Sequence, residues 1–261
     1  MTDFELARRY RSDSMSTPTG SPRTAALLAS IEHATGHVLD AVHTMDEVSV
    51  HRPSLLPNWT RAHVISHLAR SADGCVNLLT WARTGVEHPM YASREDRDAD
   101  IREGSVRSHR ILVEDLRASS ARLVEAARAL PPHAWSAEVV GAPGKPIPAY
   151  EVLRSRLLEL WIHLVDLDHG FGLDDIPADD AEQLLADTVR QLAGRPDVPA
   201  LTVVAEFADG TVRSWDLGVP LQRPQQGKRI HGRPGALLGW LLGRAGSGDL
   251  RGDVPDLPPW L

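Results

Sequence analysis

Four long segments between residues 23 and 170 carry apolar side chains at the three- to four-residue spacing of an α-helix, and this periodicity is the strongest constraint on the fold. In the first segment the spacing runs through Leu27, Ile31, Val38 and Val42. The second follows Thr60, a residue type favoured at helix N-caps. The four predicted helices cover residues 23–45, 60–83, 95–130 and 150–170. Helices of these lengths predict an antiparallel four-helix bundle.

Beyond residue 172 the sequence changes character. Asp209-Gly210 follows residues 201–207, which are rich in Val and Thr, and lies between apolar, β-favouring segments, a pattern that predicts a β-hairpin. We expect a helix over 177–193, hairpin strands over 201–207 and 211–217, a third strand over 228–231 and a helix over 233–244. The fold class predicted is mainly α, with an N-terminal four-helix bundle over 23–172 and a smaller C-terminal α+β domain over 173–261.

Residues 1–22 are polar and rich in Ser, Thr, Gly and Pro, without a sustained apolar period. Such a composition predicts a disordered leader. Met15 is an alternative start to Met1.

The chain carries a formal net charge of −7 and one cysteine, Cys75. Because nucleic-acid binders gain affinity from an excess of Lys and Arg, we expect no nucleic-acid partner. One cysteine excludes an intramolecular disulfide and the Cys-rich zinc frameworks, so a metal would be bound by His and carboxylates. No apolar run approaches the roughly 20 residues that span a bilayer, and we expect a cytoplasmic protein with no membrane partner.

The fourth predicted helix carries Glu159 and His163 four residues apart, which places both side chains on one face and within reach of one ion. Apolar residues occupy most of this helix and leave a polar stripe that also includes Ser155, Arg156 and Asp166. The stripe either faces water or lines an internal site, and periodicity leaves both open. A Glu/His pair at this spacing is more often solvated or structurally paired than bound to metal.

The second predicted helix carries His63 and His67, also four residues apart. Its apolar arc borders His67 and leaves His63 on the flank, so His67 is the better inward-pointing candidate; the alternative is a hydrogen-bonded core histidine. Three N/O ligands from two helices leave a fourth position for water or substrate, as in catalytic zinc sites. The same ligands are compatible with nickel, iron or manganese.

Two segments resemble the signature segments of the mycothiol-dependent maleylpyruvate isomerases, members of the DinB-like metalloenzyme superfamily. They are residues 59–70, WTRAHVISHLAR, and residues 159–167, ELWIHLVDL. Residues 239–244, GWLLGR, are similar to the end of that family's α+β domain. Asn58 and Ser71 stand where the family often has Gly and Asn, and neither is a candidate ligand.

The resemblance implies a DinB-like bundle in which His67, Glu159 and His163 bind one divalent metal, expected to be zinc. It implies that Arg244 holds an anionic substrate or the thiol cofactor mycothiol, and that Asp166 orients a ligand or the thiol. Arg244 also has a simpler explanation, because the helix dipole favours Arg in a last turn whatever its function. Cys75, among apolar neighbours, is expected to be a small core residue and not a nucleophile.

The implied activity is a mycothiol-dependent cis–trans isomerisation of the maleylpyruvate type, in which a metal-activated thiolate adds to an activated double bond. Two alternatives remain open from the sequence. One is a metal- and mycothiol-dependent S-transferase or detoxification enzyme that acts on other electrophiles. The other is a non-catalytic metal-binding module. The expected partners are a small anionic substrate and the thiol, and the chain is expected to be a monomer or a homodimer.

Overall fold

The computed structural model describes residues 22–141, 144–218 and 228–260. The predicted leader over residues 1–22 and the choice between Met1 and Met15 lie outside these residues, except that Pro22 begins the first helix.

The N-terminal part is helical, as predicted. Its helices pack around a core of Ile, Leu, Val and Ala side chains that includes Ile31, Ile65, Leu116 and Leu153. The longest helix, α3, packs against α4 and α5, and α1 packs against α5. The bounds are α1 Pro22–His43, α2 Glu47–Val50, α3 Arg61–Thr84, α4 Arg94–Ser105, α5 His109–Arg128 and α6 Tyr150–Asp166.

Both ends of α3 are fixed by local chemistry. The Thr60 side chain accepts a hydrogen bond from the backbone N–H of His63, and the His63 ring receives the backbone N–H of Thr60, which together form a capping box. At the other end, Gly85 adopts a left-handed conformation with φ of 72°, which favours glycine. The N-cap predicted at Thr60 is confirmed, and it sets which residues of α3 face the bundle interior.

The prediction of a single helix over residues 95–130 was wrong, because two helices occupy this range. Ser93 caps α4 by accepting the backbone N–H of Asp96. The chain leaves helical geometry after Ser105, and Ser108 has extended backbone angles before α5. The charged α4 segment has no apolar periodicity, so the sequence pattern did not predict the break between α4 and α5.

A short hairpin precedes α6, in a stretch between residues 130 and 150 for which no helix or strand was predicted. Its strands are β1, Glu138–Gly141, and β2, Lys145–Pro148, paired antiparallel with Val139 opposite Ile147. Pro146 and Pro148 lie on β2, an edge strand of this two-stranded sheet, where proline is tolerated.

The C-terminal part is α+β, as predicted. A three-stranded sheet has the order β4-β3-β5, in which β3 is antiparallel to β4 and parallel to β5. Gly210, in the predicted turn, has φ of 84°. Helix α7 packs against β4 and α8, and α8 also contacts β3 and β5. The bounds are α7 Ala178–Ala193, β3 Leu201–Glu206, β4 Val212–Leu217, β5 Arg229–Gly232 and α8 Pro234–Leu241.

The described residues divide into two compact units, with the boundary between Leu160 and Trp161, inside α6. The domain boundary predicted between residues 172 and 173 stays a prediction. Within the described residues, none of the helices has the length and apolar character needed to cross a membrane.

Candidate metal centre

His67, Glu159 and His163 come together in the structure. Each offers a ligand atom, and these atoms lie within 4.8 Å of one another. His67 is on α3, and Glu159 and His163 are one turn apart on α6. Both histidines are buried, whereas the Glu159 side chain is 34% exposed, which leaves the cluster open on the carboxylate side. The three residues selected from the sequence therefore form one cluster.

A buried arginine fixes the register of α6 against α3. Arg156, one turn before Glu159, is 1% exposed, and its Nη1 donates a hydrogen bond to the carbonyl oxygen of Leu68 at 2.8 Å. Leu68 directly follows His67, so this bond holds the two ligand-bearing stretches side by side. Within the cluster, Nε2 of His67 lies 2.7 Å from Oε2 of Glu159.

His163 is held by a buried carboxylate. Its Nδ1 lies 2.9 Å from Oδ2 of Asp166, and the Asp166 side chain is fully buried. Because a carboxylate accepts, Nδ1 carries the proton and donates it, which leaves Nε2 with a lone pair for a ligand bond. This is the pattern by which a carboxylate orients a metal-binding histidine.

Arg244 pairs with the same carboxylate. Its Nε and Nη2 donate to the two oxygens of Asp166 at 3.0 and 3.2 Å, and its Nη1 donates to the carbonyl of Leu242. Burial by itself raises the pKa of Asp166, but hydrogen bonds from His163 and Arg244 outweigh burial and hold that pKa below its usual value. The carboxylate therefore stays ionised at neutral pH.

On the other side of the cluster, Arg97 of α4 contacts His67. Its Nη2 lies 3.2 Å from Nδ1 of His67, and its guanidinium lies over the ring of Tyr91, 5.7 Å from the centroid. Burial raises the pKa of Tyr91 to about 12, so that its phenol stays protonated. Neither residue was predicted from the sequence. In the sequence, Tyr91 and Arg97 are an aromatic residue and a cation six residues apart in a polar segment. Such pairs are too common to indicate a site.

Comparison with known proteins gives the family. The model of the mycothiol maleylpyruvate isomerase N-terminal domain matches residues 31–168. A crystal structure of the mycothiol-dependent maleylpyruvate isomerase is 32% identical, with a TM-score of 0.79, over 91% of this chain and 97% of that chain. This chain belongs to the mycothiol maleylpyruvate isomerase family. A structure of a histidine-to-alanine mutant of that enzyme is 31% identical, with a TM-score of 0.78 over the same shares.

Membership of the mycothiol maleylpyruvate isomerase family confirms the resemblance, the fold class and the prediction that the chain is an enzyme. A comparison with curated protein sequences found no match. The assignment thus depends on the domain model and on the solved structures.

The cluster fits a divalent metal by its donor chemistry. Two imidazole nitrogens and one carboxylate oxygen are ligands of catalytic zinc sites, in which neighbouring ligand atoms lie about 3.3 Å apart. The observed limit of 4.8 Å exceeds that spacing by about 1.5 Å, so the donor atoms must move closer together to bind one ion. The hydrogen bond from His163 to Asp166 adds the partner that such a ligand requires.

His63 and Cys75 lie outside this ligand cluster. The ring of His63 takes part in the α3 cap and lies 3.2 Å from the hydroxyl of Ser105. Cys75 is buried, and burial raises its pKa to about 11. Its thiol is therefore protonated at neutral pH, in agreement with the prediction of a core residue.

Proposed function

We propose that the protein is a mycothiol-dependent cis–trans isomerase of the maleylpyruvate type, with a divalent metal, expected to be zinc, held by His67, Glu159 and His163. The observation that carries this proposal is the convergence of these three donors in a member of the family. When bound, zinc lowers the pKa of a thiol at its open position, and a thiolate that adds reversibly to the cis double bond permits rotation to the trans isomer.

The chain's own residues have separate tasks in this proposal. His67, Glu159 and His163 hold the metal and leave one position open. Asp166 keeps the His163 proton on Nδ1, so that Nε2 faces the cluster. Arg244 holds Asp166 in its ionised form. We also propose that Arg244 contacts the anionic substrate or the thiol. A guanidinium has five N–H donors, and three of them make the hydrogen bonds described above.

The expected partners follow from this chemistry. The enzyme takes a small anionic electrophile and a low-molecular-weight thiol. Such a thiol stays reduced in a reducing compartment, and we therefore propose a cytoplasmic location.

The direct test combines metal content with turnover. Purified wild type should contain close to one equivalent of metal and convert maleylpyruvate to fumarylpyruvate only with mycothiol. His67→Ala, Glu159→Gln and His163→Ala should lose metal and turnover together. The matched control is His63→Gln, one turn earlier on α3, where Gln preserves a capping-box residue and metal should be retained.

Asp166→Asn is a further variant in the same experiment, for which a partial loss of metal affinity is expected. Loss of a residue that orients a metal ligand typically weakens metal binding by about 10- to 100-fold. We therefore expect reduced, not abolished, metal affinity, measured by chelator competition after circular dichroism has confirmed the fold. Full turnover of metal-depleted wild type would refute the proposal. Stoichiometric consumption of mycothiol would instead indicate an S-transferase, because isomerisation returns the thiol.

A further inference from the structure

Arg97 is a cation directly beside a proposed metal ligand. Its Nη2 lies 3.2 Å from Nδ1 of His67, and Tyr91 supports the guanidinium from one face. Arg97 also pairs with Asp98, the next residue, at 2.7 Å. The Asp98 side chain is 41% exposed, and an ion pair with so exposed a partner contributes little to fixing the guanidinium.

The contact between Arg97 and His67 is the opposite of the one that a metal-binding histidine normally makes. Such a histidine donates its second N–H to an acceptor, as His163 does to Asp166. Arginine has only donors and stays protonated. If Nε2 of His67 binds a cation, the ring proton is on Nδ1, and two donors face each other. Arg97 keeps its hydrogen bonds with Asp98 and Tyr91, but the Nη2 donor that faced His67 then needs another acceptor.

We propose that this acceptor is a carboxylate of the electrophilic substrate, so that Arg97 forms the carboxylate-binding subsite next to the metal centre. The inference rests on the proposed function and adds the residue that recognises the electrophile. A guanidinium matches a carboxylate with two parallel hydrogen bonds. Arg97 and Tyr91 also line a cavity of about 210 Å³, which supplies space beside the guanidinium.

Three acidic side chains, Asp73, Asp96 and the exposed Asp100, line the same cavity, and two of them have partners of their own. Asp73, which also lines the cavity, is paired with Arg70 and with Arg122. Asp96 accepts a hydrogen bond from the hydroxyl of Ser93 at the exposed start of α4. The Arg97 side chain is 27% exposed, and its Nη2 lies beside the proposed metal ligand His67.

Electrostatic repulsion couples the binding of the metal ion to the binding of the carboxylate. A guanidinium beside His67 repels a divalent cation, and a carboxylate on Arg97 removes that repulsion. By linkage, the carboxylate should strengthen metal binding by the same factor by which the metal strengthens carboxylate binding.

The test measures zinc affinity by chelator competition, with and without succinate, a dicarboxylate that has no double bond to react. In wild type, succinate should tighten zinc binding. In Arg97→Gln, zinc should bind at least as tightly as in wild type without succinate, and the succinate effect should disappear. The KM for maleylpyruvate should rise about 10- to 100-fold, as for a lost charged hydrogen bond, with the KM for mycothiol unchanged.

Two variants serve as controls. Arg97→Lys keeps the charge but not the paired donors, so it should retain part of the succinate effect. Arg94→Gln removes an exposed arginine one turn earlier on α4 and should behave as wild type.

Four results would overturn the assignment. Weaker zinc binding in Arg97→Gln with unchanged KM would make Arg97 a positioning residue for His67. A raised KM for mycothiol alone would move the residue to the thiol site. A wild type that binds zinc without any succinate effect would remove the coupling while the proposed function stands. Absence of zinc binding in wild type would overturn the proposed function itself, and this inference with it.

Discussion

Cys75, the chain's one cysteine, lies within the bundle and has a pKa raised to about 11 by burial. Because the thiolate is the reactive form, native protein at pH 7 to 8 should react slowly with a disulfide reagent or iodoacetamide. The rate should increase as the pH rises toward that pKa. The measurement is the labelling rate in native and in urea-unfolded protein, where labelling should be rapid.

Rapid stoichiometric labelling of native Cys75 with loss of turnover would contradict its assignment to the core. Cys75→Ala provides the control, since it should remain active. If Cys75→Ala is active, a thiol requirement in turnover assays comes from the added mycothiol and not from Cys75.

Arg156 shows why some site residues escape a reading of the sequence. It belongs to the same polar stripe of α6 as Glu159, yet its guanidinium is buried. Burial lowers its pKa, and the negative charge of Glu159 acts in the opposite direction. The buried guanidinium therefore offsets the negative charge of Glu159. Periodicity alone left open whether the polar stripe faces water or lines an internal site.

The three proposed ligands could be selected from the sequence because spacing on a helix and the family resemblance pointed to the same residues. Arg97 and Tyr91 could not, because their position depends on how α4 and the loop before it lie against α3. The pairing of Asp166 with Arg244 spans 78 positions in the chain and has no local signal. Long-range pairings of this kind require the structure.

Helix α4 approaches α3 closely at Gly104. A Cβ built there would lie 3.0 Å from the Cβ of Ser66 and closer still to its hydroxyl. We expect Gly104→Ala to lower the free energy of unfolding by about 1–3 kcal/mol, as for an overpacked core. Urea unfolding measures this change.

Gly36 of α1 is the matched control, because its added Cβ would have nothing within 4 Å. Gly36→Ala should stabilise the protein by about 0.5–1 kcal/mol, since alanine is the better helix former. Equal effects of the two substitutions would show that helix propensity, and not contact between α3 and α4, decides the outcome.

The elements that the sequence predicted correctly are those with strong local signals. Apolar spacing gave α1, α3, α5 and α6, and the Asp209-Gly210 turn gave the hairpin of β3 and β4. The β1–β2 hairpin was missed because two prolines on β2 resemble a loop. The break before α5 was missed because α4 is charged, and its close approach to Ser66 of α3 has no signal in the sequence.

At the scale of the whole molecule, the net charge of −7 opposes the approach of an anionic substrate. An enzyme of such composition that acts on anions needs local positive charge at its site. In the proposed function, Arg97 and a divalent metal would supply this charge next to His67, and the requirement could not be derived from composition alone. Fold class and family, in contrast, were both predictable, because they depend on patterns spread over most of the chain.

The central claim is that the cluster of His67, Glu159 and His163 binds one metal ion and keeps a position open for sulfur. Spectroscopy of cobalt-substituted protein during a mycothiol titration tests it most directly. We predict a sulfur-to-cobalt charge-transfer band that saturates at one thiol per metal and is absent from His67→Ala. A cobalt-loaded wild type that shows no such band at saturating mycothiol would contradict the claim.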